Sequence, residues 1–315
     1  MDTVLAGFFQ GCIESSEKCP LATNDTSAKD LEHRFANLLQ DLRNHPIPAP
    51  TGLASGTLII DYDYVQNFLY SLMYFPAAWP YGAAALADLF EGNTTGFLSN
   101  AALAGGGIGL SIADPDQYNP DALQGIQCSD SSIRAQAPGQ LAAMLNQTIA
   151  QSRYLGTLQV VFPLLTCAAW RMRAKEVYSG SFNDIKTSAP LLFVGNTADG
   201  LTPLINAHNA SLAFEGSVVL QNDGYGVSWL RDSGCPLASH ALTTILQHTS
   251  IASPSLCTAR HIQDYFVDGT LPPPGTICQH SYKTFDTPPS YLEVLGLVAA
   301  LGPIANITEG TFGKK

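Results

Sequence analysis

The sequence predicts an α/β protein, and three observations carry that prediction. Apolar positions recur at helical spacing through much of the first half. Two continuous apolar runs of strand length follow Lys186. A helix signal lies between those two runs. Strand, helix and strand in that order form a βαβ unit, which requires a parallel sheet. At 315 residues, with 46 % hydrophobic and 13 % charged, the chain is too apolar for a disordered protein. A net charge of −11 disfavours nucleic acid as a partner, because the chain would approach phosphates against its own field.

Residues 27–45 read as an amphipathic helix, capped by Ser27, with Leu31, Phe35, Leu38, Leu39 and Leu42 on one face. His45 to Pro50, rich in proline, ends it as an extended linker. Leu58 to Ile60 is a short apolar run. Asp63 then caps a helix with Val65, Phe68, Leu69, Leu72 and Met73 inward, stopped by Pro76. A third helix follows Trp79 and Pro80 and runs through Leu86, Leu89 and Phe90 to Gly92. Gly105 to Gly109 looks like a phosphate loop. It lacks a preceding strand and a following Lys-Ser/Thr pair, so it reads as a turn. Residues 135–151 make another helix.

In the second part, Ala189 to Val194 reads as a buried strand. Pro203 starts a helix through Ile205, Ala207, Leu212 and Phe214, with Gly216 as C-cap. Ser217 to Leu220 is the second strand, and Gln221 to Gly226 the loop after it. In parallel sheets, function sits at the carboxyl ends of the strands. Asp199 lies just past the first of these ends.

The cysteines are Cys12, Cys19, Cys128, Cys167, Cys235, Cys257 and Cys278, and sequons occur at Asn24, Asn93, Asn146, Asn209 and Asn306. Together they favour a secretory-pathway glycoprotein over one with buried cytosolic thiols and unused sequons. Met1 to Phe9 has no basic n-region, so this chain shows no signal peptide. No apolar run is long enough for a membrane span. The closest, Tyr291 to Ile307, is broken by Glu293, Gly296, Gly302 and Pro303.

Three stretches resemble the tripeptidyl aminopeptidase-like branch of the α/β-hydrolases, secreted serine hydrolases of bacteria and fungi. They are Phe193 to Pro203, Gly216 to Gly226, and Ser255 to Cys278. Phe8 to Cys12 with Cys19, and Leu72 to Pro80, are similar to the family's lid. The resemblance implies a helical lid over residues 1–185 and the C-terminal part of the hydrolase core over 186–315, with a fungal source expected. It also implies a Ser-His-Asp triad in chain order Ser, Asp, His, with Asp199 as the acid. The competing reading of Asp199 is a loop residue making an Asx turn.

Two departures from the family pattern stand out. The family's histidine follows the Gly-Tyr-Gly turn directly, yet Val227 stands there. The stretch from His248 to Cys257 resembles what should follow. Residues 227–247 thus read as an insert of 21 residues, or 63 nucleotides. Val227 and Ser228 can be encoded by GTGAGT, an intron donor, and Gln247 by CAG, an acceptor. Leu242 and Thr243 can encode a branch point. The insert also holds Cys235. Without it six cysteines remain, in neighbouring pairs: Cys12 with Cys19, Cys128 with Cys167, Cys257 with Cys278. Asp199 and His248 are 49 residues apart, and 28 without the insert, which suits one helix, one strand and one turn. Residues 227–247 are therefore expected to be a retained, in-frame intron or a gene-model error; the competing reading is a genuine loop insertion, which surfaces tolerate.

The second departure is that no Gly-x-Ser-x-Gly elbow occurs. The expectation is a chain truncated at its N-terminus, holding acid and base but no nucleophile, inactive alone, and exposing sheet edges or apolar faces. The intact form would be secreted, with a peptide or small ester or metabolite as substrate, no cofactor, no nucleic acid and no membrane partner. The alternative is a non-catalytic remnant serving as a binding or scaffolding protein. Metal-dependent hydrolysis by His33, His45, His208, His240, His248, His261 and His280 finds no His-x-x-x-His spacing to support it.

The insert gives a direct prediction. Sequencing of spliced message across codons 226–248 should find transcripts lacking the 63 nucleotides; a population that always contains them would refute the intron.

Overall fold

The structure is a computed structural model and describes residues 1–23, 25, 27–50, 57–73, 76–104, 120–160, 164–178, 180–200, 202–225, 255–279 and 284–286. Helices α1 (Asp2–Glu14) and α2 (Ala28–Asn44) precede strands β1 (Ile47–Pro50) and β2 (Thr57–Ile60). Helices α3 (Tyr62–Met73), α4 (Trp79–Phe90), α5 (Thr94–Leu103), α6 (Pro120–Asp130), α7 (Ala142–Ile149), α8 (Gly156–Val160) and α9 (Thr166–Ala168) follow. The last part holds β3 (Leu192–Ala198), α10 (Leu204–Ser211), β4 (Val218–Tyr225), α11 (Leu256–Asp268) and β5 (Ile277–Gln279). Met1–Asp2, Lys29–Leu72 and Tyr81–Ser181 form one compact unit; Thr3–Ala28, Met73–Pro80 and Phe182–Lys315 form another.

The first unit is mostly helical. Leu31, Phe35, Leu39 and Leu42 of α2 are buried, the apolar stripe its periodicity predicts, and Leu38 sits at the rim. The chain expected as a linker is instead β1, antiparallel to β2, with Ile47 opposite Ile60 and Ala49 opposite Leu58. Pro48 and Pro50 lack a donor, which confines them to an edge, and every strand of a two-stranded hairpin is an edge. The cap of α3 is Asp61, not Asp63: Tyr64 N–H donates to Asp61 Oδ1 at 2.8 Å. Val65, Phe68, Leu69 and Leu72 are buried as expected. Phe68 and Phe97 meet edge-on, centroids 5.4 Å apart.

The helix expected over 135–151 is shorter. Residues 135–137 are not helical, and a short 3-10 turn, Pro138–Leu141, leads into α7. Pro138 disfavours the helical region for Ala137, which sits at φ −145°, ψ 145°. Gln140 Oε1 then accepts from Gln136 N–H at 2.7 Å. Arg134 donates to the carbonyls of Cys128, Ser131, Ile133 and Met172, holding this region beside the Cys128–Cys167 disulfide.

The second unit carries the parallel sheet, in order β3-β4-β5. Both pairings are parallel, which is the predicted βαβ arrangement. The first strand starts at Leu192, later than expected, and continues to Ala198. Pro190 has no N–H to give to a ladder, and its carbonyl accepts from Tyr265 Oη at 3.1 Å. The stretch Gln221 to Tyr225, expected as a loop, belongs to β4. Its polar side chains find partners across the sheet, so the ladder continues through them. Helix α10 ends at Ser211, and Gly216, at φ +74°, turns the chain into β4. Gly269 ends α11 at φ +79°. The expected Gly105 to Gly109 turn, Gly226, the 227–247 insert and residues beyond Asp286 lie outside the described residues.

All three expected disulfides are present: Cys12–Cys19, Cys128–Cys167 and Cys257–Cys278. Each contributes on the order of 2–4 kcal/mol by restricting the unfolded chain. Val194, Ile205, Leu212, Phe266 and Ile277 are exposed, Leu212 by 86 %. Among the described residues, the outer edges of β3 and β5 carry no further strand.

Helix α1 packs through its glycine face. Phe8 meets Trp79 edge-on at 5.4 Å and lies 5.7 Å from Phe285, and Trp79 lies 5.2 Å from Tyr225. Gly7 takes the Tyr225 ring so closely that a Cβ would overlap it. Gly7→Ala should therefore destabilise the chain by about 1–3 kcal/mol, the range for overpacking. Gly139→Ala, with open space around it, should be near neutral. Thermal melts of the two variants check this.

Candidate functional site

Strand β3 delivers Asp199 just beyond its carboxyl end, with the residue 6 % exposed. Thr202 engages both carboxylate oxygens: its N–H donates to Oδ1 at 2.8 Å and its hydroxyl to Oδ2 at 3.0 Å. That is an Asx-type turn, the structural alternative raised by the sequence, and it also fixes the plane of the carboxylate. Tyr225 ends β4 in register with Ala198, so both strand ends lie together. Between the pairs Asn196–Asn222 and Ala198–Tyr225, β4 carries one more residue than β3, a bulge that bends β4 at its end.

A polar network holds the strand ends. Asn222 is 0 % exposed; its Nδ2 donates to Asn196 Oδ1 at 2.9 Å, and its Oδ1 accepts from Thr258 Oγ1 at 2.8 Å. Beside it, Thr197 Oγ1 donates to Asp223 Oδ1 at 2.8 Å, and Gln221 Nε2 donates to Thr197 Oγ1 at 2.8 Å. Burial raises the Tyr225 phenol above its ordinary range, with smaller contributions from the Glu14 and Asp223 carboxylates. The phenol is neutral at physiological pH, and its ring and hydroxyl lie against Gly7 of α1.

Of the expected catalytic pair, the structure places Asp199 at a strand end; His248 lies outside the described residues, so no distance joins the two. Asn93, Asn146 and Asn209 are exposed. Asn93 is the cap of α5, accepting from Gly96 N–H at 3.0 Å and donating to Asp88 at 2.7 Å. Asn146 and Asn209 lie within α7 and α10. Asn24 and Asn306 lie outside the described residues, as do Cys235, His240 and His280. No described helix is long and apolar enough to cross a membrane.

Two groups escaped the sequence reading. Asn196 and Asn222 were missed because a polar run in a strand reads as a loop, and Thr258 because its partner lies on β4, 36 residues away in sequence; Asn222 itself falls in the stretch expected after the second strand. His261 sits beside the Cys257–Cys278 disulfide, all donor atoms within 4.8 Å of one another. Its position four residues after Cys257 on one helix was a usable signal. In the first unit, Arg43, Asp61 and Asp63 line a recess of about 380 Å³, with Arg43 stacked 3.8 Å over the Tyr62 ring.

Asn222→Ala should strand the Asn196 amide and the Thr258 hydroxyl. The expected loss is about 2–3 kcal/mol, since unsatisfied buried polar groups keep their desolvation cost. Denaturant midpoints at unchanged m-value would measure it.

The family model for TAP-like proteins matches residues 154–247, a span that includes β3, Asp199 and β4. Carboxylesterase B of Mycobacterium tuberculosis, from strain ATCC 25618 / H37Rv and from strain CDC 1551 / Oshkosh, is 23 % identical over 264 residues. That alignment covers 84 % of this chain and 44 % of the relative, so the chain spans less than half the length of the relatives it matches. The mixed α/β fold with its parallel sheet is consistent with an α/β-hydrolase, and these likenesses support that superfamily and a hydrolase-like protein.

Proposed function

We propose that the chain contributes the acid and the base of a serine hydrolase acting on peptide or small ester bonds. Asp199 is the acid and His248 the base. The observation that carries this reading is the buried carboxylate of Asp199, oriented at the carboxyl end of a parallel strand and level with the end of β4. Parallel sheets gather chemistry at this end. The TAP-like match across the same residues, and the name of the M. tuberculosis relatives, support the hydrolase class.

In the proposed mechanism a serine outside residues 1–315 attacks the carbonyl. His248 takes its proton and returns it to the leaving group. Asp199 holds the imidazole tautomer and stabilises the imidazolium as it forms. Thr202 already fixes the Asp199 carboxylate plane, which limits the reorganisation needed when charge develops. Residues 1–185 are proposed as the lid and 186–315 as the core segment, with 3–28 and 73–80 packing in the unit that holds the sheet. Secretion and glycan addition at the exposed sequons belong to the same proposal, as does the intron origin of 227–247. A second reading, a non-catalytic binding or scaffolding protein, draws on the absence of a Gly-x-Ser-x-Gly elbow from this chain.

The test is hydrolysis of aminoacyl and short-chain aryl esters by two forms. This chain alone should show no enzymatic rate. A form extended by an in-frame elbow segment from the same locus, with 227–247 deleted, should turn over. In that form His248→Ala should abolish activity, and Asp199→Asn should lower kcat by about 10⁴ through the wrong imidazole tautomer. Turnover by the unextended chain that survives His248→Ala would overturn the assignment. An inactive extended form, or a locus without an elbow, would favour the binding protein.

A further inference from the structure

We propose that reduction of the Cys257–Cys278 disulfide opens a binding site for a zinc-class divalent cation, built from Cys257 Sγ, Cys278 Sγ and a ring nitrogen of His261. The three donor atoms already lie within 4.8 Å of one another. A tetrahedral site with Zn–S of about 2.3 Å and Zn–N of about 2.0–2.1 Å needs donor separations of roughly 3.5–3.8 Å. The imidazole therefore has to close by about 1 Å while the freed sulfurs part, movements within reach of side-chain torsions.

The backbone around the three ligands is held by more than the disulfide. Cys257 and His261 stand one helical turn apart on α11 and face the same way. That helix is capped by Ser255 at its start and by Gly269 at its end. Thr258 anchors it to Asn222 at 2.8 Å, and Tyr265 to the Pro190 carbonyl at 3.1 Å. Cys278 rides on β5, opposite Asn222 in the ladder with β4. The Cα atoms of the two cysteines are 5.4 Å apart. Breaking the sulfur–sulfur bond thus leaves the ligands converging on one point.

The donor set suits a borderline-soft ion: two thiolates and an imidazole, with a fourth position open to water. Cys257 is exposed and His261 half-buried, so reductant and metal can reach the site, while buried Cys278 shields its inner side. The chemistry balances. A dithiol gives two electrons and two protons to the disulfide, forming two protein thiols and its own disulfide. Metal binding then displaces two protons from those thiols, and two thiolates neutralise the dication. In the oxidised chain neither sulfur is a thiolate, so the site takes no metal. The switch is exclusive: disulfide or metal.

The experiment uses the full chain and cobalt(II) as the probe, with thiolate-to-cobalt charge transfer as the readout. The oxidised chain, with Cys235 first blocked by alkylation, should show no charge-transfer band. The chain reduced by a dithiol under argon, its helicity checked by circular dichroism, should bind cobalt with a thiolate band. His261→Ala and Cys257→Ser should each weaken binding by more than about tenfold, since losing only a ligand's outer-shell partner already costs that much. Zinc should displace cobalt and bleach the band. Cobalt uptake that is equal in the wild type and in both variants would mean that other thiols bind it, and would overturn the proposal. So would cobalt binding by the oxidised chain at this site, no uptake by the reduced folded chain, or loss of the fold on reduction.

Discussion

The carboxamide of Asn222 is the contact on which the sheet end depends. It is fully buried in β4, gives a hydrogen bond to Asn196 in β3 and accepts one from Thr258 in α11. A buried amide without partners costs its desolvation energy, so the three elements are held in the one register that satisfies it. A slip of one residue would turn Asn222 to the opposite face of β4 and lose both bonds at once. Asp199 lies three residues beyond Asn196, Tyr225 three beyond Asn222, and Cys257 next to Thr258. The acid loop, the end of β4 and the disulfide all take their positions from this node.

Apolar packing supplies the second constraint. Phe8 on α1, Trp79, Tyr225 and Phe285 come from segments far apart in sequence and meet as one aromatic cluster. The glycine face of α1 makes the approach possible. Gly7 accommodates the Tyr225 ring and Gly11 the Thr284 side chain, one helical turn apart. A helix with side chains at both positions would stand further from these partners. Burial of the Tyr225 phenol is the largest cause of its weakened acidity.

Besides the Cys257–Cys278 bridge, two hydrogen bonds tie α11 to the strands and their approach: Thr258 to Asn222 and Tyr265 to the Pro190 carbonyl. Their redundancy matters chemically. A bridge that alone held its helix could not open without loss of structure. Here a second tie, inside the polar network, keeps the helix in place, and a histidine one turn along the helix stands beside the sulfurs. The two arrangements of these three side chains exclude each other because one pair of sulfurs serves both.

Local features follow from residue order within each segment. Helical periodicity set the buried face of α2 and α3, continuous apolar runs marked β3 and β4, and neighbouring cysteines formed the three bridges. That Asp199 follows a strand end was legible from the apolar run before it, whereas its role as an acid was implied only by the resemblance. Other features depend on contacts between distant segments. Ile47 to Pro50 became a strand because Thr57 to Ile60 was available to pair with it, and a partner strand cannot be read from one segment's composition. Gln221 to Tyr225 carries the polar residues of a turn, yet it continues β4 because Asn196, Thr197 and Thr258 meet its side chains there. The start of α3 moved to Asp61 because the cap goes to whichever carboxylate reaches a free N–H, a matter of geometry rather than residue type. Short-range pattern follows from the covalent chain. Register and polar pairing depend on which segments meet, and only the folded chain makes that choice.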